Sequence, residues 1–245
     1  MTHESRIGER IRTPGAKREY VRTLFGRVAR RYDLTNDVMS LGLHRRWKRL
    51  ALALAEVGPG DLVLDLAAGT GDFSLRVVRQ TGARTVVAAD LTREMMAVGR
   101  ARRRAGRVRW VQCDAMDLPF ASGSVDRVLI GYGLRNFPDL SRCLAEIARC
   151  LRPGGRLVSL DFGRMRSPRL DRAYLKGLRA VAGAAGWLLH RDVESYVYIP
   201  ESLRRYPPQE SVTGQMRAAG FERCGHIDLL YGAMALHFGE RAAGT

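Results

Sequence analysis

The stretch Val63-Leu64-Asp65-Leu66-Ala67-Ala68-Gly69-Thr70-Gly71-Asp72 constrains this chain more than any other. Leu62 to Leu66 is a short apolar run held between Gly60-Asp61 and glycines, the pattern of a strand buried on both faces. It breaks at once into residues with little or no side chain. Ala67, Ala68, Gly69 and Gly71 let a ligand lie directly against the backbone, where a helix opening near Asp72 presents free N–H groups. Strand, bare turn and helix in this order read as a nucleotide-type binding turn.

The acids that follow decide which nucleotide. A phosphate cradle wants a Lys after the glycines, and Gly71-Asp72 offers an acid that repels phosphate. About twenty residues on, a second apolar strand, Thr85 to Ala89, ends in Asp90-Leu91, with the Asp90 carboxylate placed to take both ribose hydroxyls. A third, Val108 to Gln112, ends at Cys113-Asp114-Ala115, where an acid and a backbone amide meet an adenine edge. An adenosine bearing a cationic sulfonium suits such an acid-lined pocket better than a pyrophosphate does. These residues resemble class I S-adenosylmethionine-dependent methyltransferases. The resemblance implies an α/β, Rossmann-like fold: a mostly parallel seven-stranded sheet with helices on both faces and an antiparallel last strand. It also implies S-adenosyl-L-methionine as cofactor, held by Asp65, Ala67, Gly69, Thr70, Gly71, Asp90, Leu91, Asp114, Ala115 and Gly131.

A chain of 245 residues suits one such domain with additions. Its formal charge of +16 is almost all Arg, with Lys only at 17, 48 and 176. That charge favours an anionic partner, nucleic acid or an acidic membrane surface, unless it is simply a solvated basic exterior. Cys113, Cys143, Cys150 and Cys224 form no C-x-x-C pair and the histidines do not cluster with them, so no metal site is expected. The polar N-terminus lacks an apolar core for export, and Lys176 and Arg179 interrupt the best candidate for a spanning helix. A cytoplasmic protein, peripheral to a membrane at most, is the expectation.

Along the chain, residues 1–16 show no periodicity and are expected to form a flexible arm, leaving 17–245 as the single domain. Tyr20, Val21, Leu24, Phe25 and Val28 recur at helical spacing, predicting an amphipathic helix from Lys17 to Arg31 within a helical cap over 17–58 that covers the pocket. Strands are expected near 62–66, 85–90, 108–112, 126–131 and 156–162, alternating with helices as in a parallel sheet. Arg100 to Arg104 read as a solvated helix face. Arg135 and Asn136 follow the fourth strand, where open α/β sheets bind ligands; Asp139 is the alternative partner for Arg135.

Three segments carry a more specific resemblance. Tyr32, Asp33, Asn36, Met39, Ser40, His44 and Trp47 match the first signature of the UbiE/MenG family, the C-methyltransferases of ubiquinone and menaquinone biosynthesis, with Thr35 in place of the usual Met. Gly133-Leu134-Arg135-Asn136 matches that family's Gly-Leu-Arg-Asn motif, preceded by Tyr132 where Phe is usual. Arg152-Pro153-Gly154-Gly155 through Leu160-Asp161-Phe162 is similar to its second signature. Weaker likenesses follow. Asp117 to Phe120 would wrap the adenine; an insertion at 167–206, ending in Tyr196, Tyr198 and Glu201-Ser202, would stand near the substrate; and Ala233 to His237 resembles the family's ending. Asp228 to Gly232 departs from the family pattern at a place expected to line the quinone pocket, with Tyr231-Gly232 as a hairpin turn.

The resemblance implies methyl transfer to a ring carbon of a prenylated hydroquinone, with demethylmenaquinol preferred over the ubiquinol precursor. Another aromatic or polyketide metabolite is the alternative, and a homodimer is compatible with it. In this reading Arg135 stabilises a phenolate while Asn136 and Tyr32 orient the ring oxygens. His44 is the titratable candidate for the base, with an ordered water as its rival. Nucleic-acid methylation fits less well, because no Asn-Pro-Pro-Tyr type motif follows the fourth strand.

Overall fold

Short apolar runs and amphipathic helices alternate through the chain, and each run becomes one strand of a sheet: β1 (Leu62–Leu66), β2 (Thr85–Asp90), β3 (Arg109–Gln112), β4 (Val125–Gly131), β5 (Leu151–Phe162), β6 (Phe221–Leu229) and β7 (Met234–Arg241). The structure is a computed structural model that describes residues 7, 11–40, 42–190 and 193–243, with the main chain alone at 35, 38, 39, 184–190 and 193–197. The strands form one seven-stranded sheet in the order β3-β2-β1-β4-β5-β7-β6. β1 to β5 run parallel and β7 is antiparallel to both of its neighbours. Strand order reverses between β1 and β4, so the loops leaving their carboxyl ends diverge and open a crevice.

Burial follows the pleat. Leu64, Leu66, Val128, Ile130 and Leu157 face one side and pack with Leu144 and Ile147 of α6 (Leu140–Cys150). Val63, Leu129, Val158 and Leu160 face the other and pack with Trp47 and Ala51 of α3 (His44–Ala55) and with Phe73 and Val77 of α4 (Asp72–Gln80). The helix α5 (Arg93–Arg100) follows β2. β5 begins five residues before the expected strand, because Leu151 already pairs with Val125 ahead of a register shift.

The N-terminal region departs from expectation. Helix α1 (Pro14–Val28) starts ahead of Lys17, with Pro14 in its first turn and the Thr13 hydroxyl accepting from Ala16 N at 3.3 Å. Ile7 and Ile11 are buried against Leu24 and Tyr198, so residues 1–16 are not wholly an unattached arm. The two isoleucines form an i,i+4 apolar pair that charged neighbours hide from a periodicity count. A 3₁₀ turn then leads into α2 (Tyr32–Ser40), which completes the cap.

The insertion is two helices, α7 (Pro168–His190) and α8 (Val193–Arg205), followed by α9 (Gln209–Ala218). Tyr174, Leu175 and Leu178 pack on the core while Leu170 and Val181 stay exposed. The side chains of Trp187, Leu188, Leu189 and Tyr196 lie outside the described residues. Asp228 to Gly232 is a second correction. Leu230 and Tyr231 take left-handed φ values of 49° and 57°, and Tyr231 stands 87% exposed at the surface, not in a pocket wall. Asp228 is engaged by Arg166 Nε at 2.9 Å and Gln209 Nε2 at 3.0 Å.

Candidate functional site

A cavity lies where the crevice was expected, at the carboxyl ends of β1 to β4. Its floor comes from Leu66, Ala67 and Gly69 after β1, Asp90 to Thr92 after β2, Cys113 to Ala115 after β3, and Gly131 to Gly133 after β4. Arg18, Val21 and Phe25 of α1, together with Tyr32, close it from above. Arg18 Nε fixes that roof by pairing with Asp114 Oδ2 at 2.9 Å.

The bare turn has the conformation its residues were read for. Gly69 and Gly71 take φ values of 56° and 75°, and Ala67 shares the left-handed region at 54°, which bends the backbone into the cavity. Gly71 is there for a packing reason, since a Cβ at this position would stand 2.5 Å from the Trp110 ring; it does not line the cavity itself. Asp65 lies beneath the turn. Its Oδ2 accepts from Ser74 N at 2.8 Å and Ser74 Oγ at 2.7 Å, so it ties the start of α4 to β1. Burial pushes its carboxyl up to about 7 against those bonds. Asp90 accepts from Gly69 N through Oδ2 and from Thr92 N through Oδ1, both at 2.7 Å, which holds the carboxylate at the cavity edge. Each oxygen keeps a second lone pair for a ligand hydroxyl. Asp114, Ala115 and Leu91 line the same wall, whereas Asp117 to Phe120 do not.

Beyond Gly131 the chain turns through Tyr132, whose φ is 62°. The Tyr132 carbonyl accepts from Arg135 Nη1 at 2.7 Å and Asn136 Nδ2 at 3.0 Å, so one strained peptide orients both side chains of the motif. Arg135 is paired with Asp161, not Asp139. Its Nη1 donates to Asp161 Oδ1 at 2.7 Å and its backbone N to Oδ2 at 3.1 Å, while the guanidinium stacks 4.9 Å from the centre of the Phe162 ring. Asp139 instead caps α6 by accepting from Arg142 N. Asn136 lines the cavity, and Tyr198 OH donates to its Oδ1 at 3.1 Å. Arg135 sits just behind that wall.

Tyr32 reaches the same region. It lines the cavity and a narrower extension bounded by Lys48, Asp65, Thr70 and Asp72, and burial raises its hydroxyl pKa while Arg135 opposes the shift. His44 is not brought to this group. Its Nδ1 lies 2.8 Å from Ser40 Oγ and its Nε2 3.6 Å from Asp37, facing a separate polar groove with Arg45, Arg76 and Arg102. Burial, then Lys48, lowers its pKa.

Three cations escaped the sequence reading. Lys48 is buried beneath the extension, 2.6 Å from Asp72 Oδ2 and about equally far from the Phe73 and Tyr132 rings, at 5.6 and 5.5 Å. Burial works to raise Asp72, yet Lys48 and Arg76 hold it at about 2. Lys17 Nζ donates to the carbonyls of Arg135 at 3.0 Å and Phe137 at 2.7 Å, pinning α1 to the motif; burial, then Arg135, brings its ammonium down to about 8. Arg102, expected on a solvated face, instead reaches the Thr70 carbonyl at 3.1 Å and pairs with Asp33, whose Oδ1 also accepts from Thr70 Oγ1 at 2.8 Å.

Comparison with known proteins agrees with this geometry. Among solved structures, a Haloferax volcanii methyltransferase in complex with the Trm112 methyltransferase activator superposes with a TM-score of 0.67 at 19% identity, covering 89% of this chain and 98% of that one. A Thermotoga maritima S-adenosylmethionine-dependent methyltransferase gives 0.63 at 20% identity, covering 90% and 99%. Both show the fold. The ubiquinone/menaquinone biosynthesis C-methyltransferase UbiE of Xylella fastidiosa is 42% identical over 92% of this chain and 91% of its own length, and that of Methylococcus capsulatus 43% over 92% and 93%. The model of the ubiE/COQ5 methyltransferase family matches residues 13–241, and the chain belongs to that family.

Proposed function

We propose that the protein methylates a ring carbon of a prenylated hydroquinone with S-adenosyl-L-methionine, demethylmenaquinol being the preferred substrate. The observation that carries this reading is the meeting of two features in one cavity: the glycine turn with Asp90 and Asp114 on one side, and Asn136 backed by the Arg135–Asp161 pair on the other. Family membership supports both halves.

The cavity residues fit the cofactor. Ala67, Gly69 and Gly131 leave backbone bare for close approach, Asp90 retains acceptor capacity for ribose hydroxyls, and the basic side chains nearest the turn are already paired, Arg102 with Asp33 and Lys48 with Asp72. The cofactor supplies a methyl group activated by its sulfonium. The chain must then hold a nucleophilic ring carbon in line and keep water out. Loss of a proton from a ring hydroxyl makes the neighbouring carbon nucleophilic, and a fixed cation behind the wall stabilises the phenolate. Arg135 is that cation. Of its guanidinium nitrogens, Nη1 alone is hydrogen-bonded among the described residues, leaving further guanidinium donors for the ring oxygen. Asn136 and Tyr32 orient the ring. The distance of His44 from this cluster favours an ordered water as the base.

The substrate tail requires a lipid phase, and we infer work at an anionic membrane surface. No described helix is long and apolar enough to cross a bilayer. Exposed Leu34, Leu43, Leu170 and Val181, set in a chain of net charge +16, support peripheral contact. Cosedimentation with anionic but not neutral vesicles checks it. The quinone pool of cells lacking the protein tests the main reading: a demethylated quinone accumulating there supports it, and an unchanged pool overturns it.

A further inference from the structure

We propose that the proton displaced by methyl transfer leaves through a buried polar row, running from the Arg135–Asp161 pair across β5, β7 and β6 by way of Ser159, His237 and His226 to Glu210 at the surface. This rests on the ring-methylation reading. Replacing a ring C–H by C–CH₃ converts the sulfonium to a neutral thioether and frees one proton per turnover. The cavity is roofed by α1, pinned through Arg18 and Lys17. A proton therefore gains from another exit.

The row is laid out by strand register. Asp161 and Ser159 are two apart on β5 and share a face, Ser159 stands opposite His237 on β7, and His237 stands opposite His226 on β6. Among the described residues, the buried side-chain atoms without a hydrogen-bond partner are Arg135 Nε, Ser159 Oγ, Tyr206 OH and both ring nitrogens of His237. All belong to this row or, for Tyr206, to the electrostatic reach of Asp161 and Arg135. Buried polar atoms are normally paired with protein or ordered water, and each left alone costs about 1 to 3 kcal/mol. Ser159, His237 and His226 are cross-strand neighbours about 5 Å apart and Asp161 lies about 7 Å along β5 from Ser159, spans that bridging waters would close into a relay.

Thr213 Oγ1 stands 3.2 Å from His226 Nδ1 and joins the row there. Asp161 has three bonds on about four acceptor positions, from Arg135 Nη1, Arg135 N and Phe162 N. Burial and then His226 push His237 down to about 4, so its neutral ring offers one donor and one acceptor. The His226 and His237 ring centres are 5.9 Å apart. At the outer end, His226 Nε2 lies 3.8 Å from Glu210 Oε1, and the Glu210 side chain is 77% exposed.

The test is a single turnover of the full-length protein, preloaded with cofactor and mixed with demethylmenaquinol in detergent. Proton release is read by a pH indicator and methyl transfer by rapid quench. In the unmodified protein the two coincide. In His237→Leu, which exchanges unpartnered nitrogens for apolar atoms, and in His226→Phe, proton release should lag methyl transfer about tenfold with cofactor affinity unchanged. If His237→Leu does not fold, Ser159→Ala and His226→Phe carry the same expectation. Proton release in step with methyl transfer at the unmodified rate in these variants overturns the proposal. Absence of methyl transfer in the unmodified protein would instead refute the ring-methylation reading.

Discussion

Arg135 donates through Nη1 to Asp161 Oδ1 at 2.7 Å, and Asp161 is fully buried. The two are not equally replaceable. Arg135→Met leaves a carboxylate that keeps backbone donors from Arg135 N and Phe162 N and is able to take up a proton. Asp161→Asn leaves a guanidinium that cannot shed its charge, at a cost of about 3 to 5 kcal/mol. Urea midpoints should therefore fall further for Asp161→Asn than for Arg135→Met. In turnover, Arg135→Met should reduce kcat by at least about a hundredfold while cofactor affinity changes little.

Asp90 offers a sharper test of the cofactor wall. Its two oxygens accept from Gly69 N and Thr92 N, and an Asn at 90 would set an amide NH₂ against one of those donors. Asp90→Asn should weaken S-adenosylmethionine binding by about 1.5 to 3 kcal/mol, roughly ten- to a hundredfold. Isothermal titration measures it directly.

At Gly71 the cost is steric. The left-handed φ of 75° and a Cβ placed 2.5 Å from the Trp110 ring together predict that Gly71→Ala loses about 2 to 4 kcal/mol. Chemical denaturation should show the loss even without cofactor.

A pH signature follows from Asp65. Its folded pKa of about 7 lies above the ordinary 3.8, so the folded state holds a proton that the unfolded chain gives up. The contribution to stability is full below the unfolded value, falls as pH rises toward 7, and is flat beyond it. The stability difference between the unmodified protein and Asp65→Asn, from urea titrations at intervals between pH 4 and 8.5, should decline and then level near pH 7.

The Arg18–Asp114 pair bears on access, not on folding. With the Arg18 side chain half exposed, Arg18→Ala should cost less than about 1 kcal/mol of stability. It should nevertheless speed cofactor dissociation in stopped-flow displacement, because α1 loses its clasp on the cavity wall that Asp114 lines.

What the sequence made readable was local. A strand ending in bare residues, an acid at the end of the next strand, and Arg-Asn after the fourth each sit within a few residues of the structure that displays them. The missed residues act across distance. Lys48 meets Asp72 24 positions away, Arg102 meets Asp33 at 69, and Lys17 reaches Phe137 at 120. No periodicity encodes such pairings, since they are fixed only when helices dock on the sheet. Ile7 and Ile11 were lost among charges for the same reason: their partner Tyr198 lies at the far end of the chain. His44 was credited with chemistry for its titratable ring, but Ser40 and Asp37, its neighbours on the cap, hold it outside the cavity.

The most direct test of the proposed activity is to incubate the purified protein with demethylmenaquinol and S-adenosylmethionine carrying a deuterated methyl group. Mass spectrometry and NMR then locate the label. A deuterated methyl on the quinol ring carbon, formed by the unmodified protein and lost in Arg135→Met, is the expected result. Label on oxygen, or an untouched quinol with the cofactor bound, would contradict it.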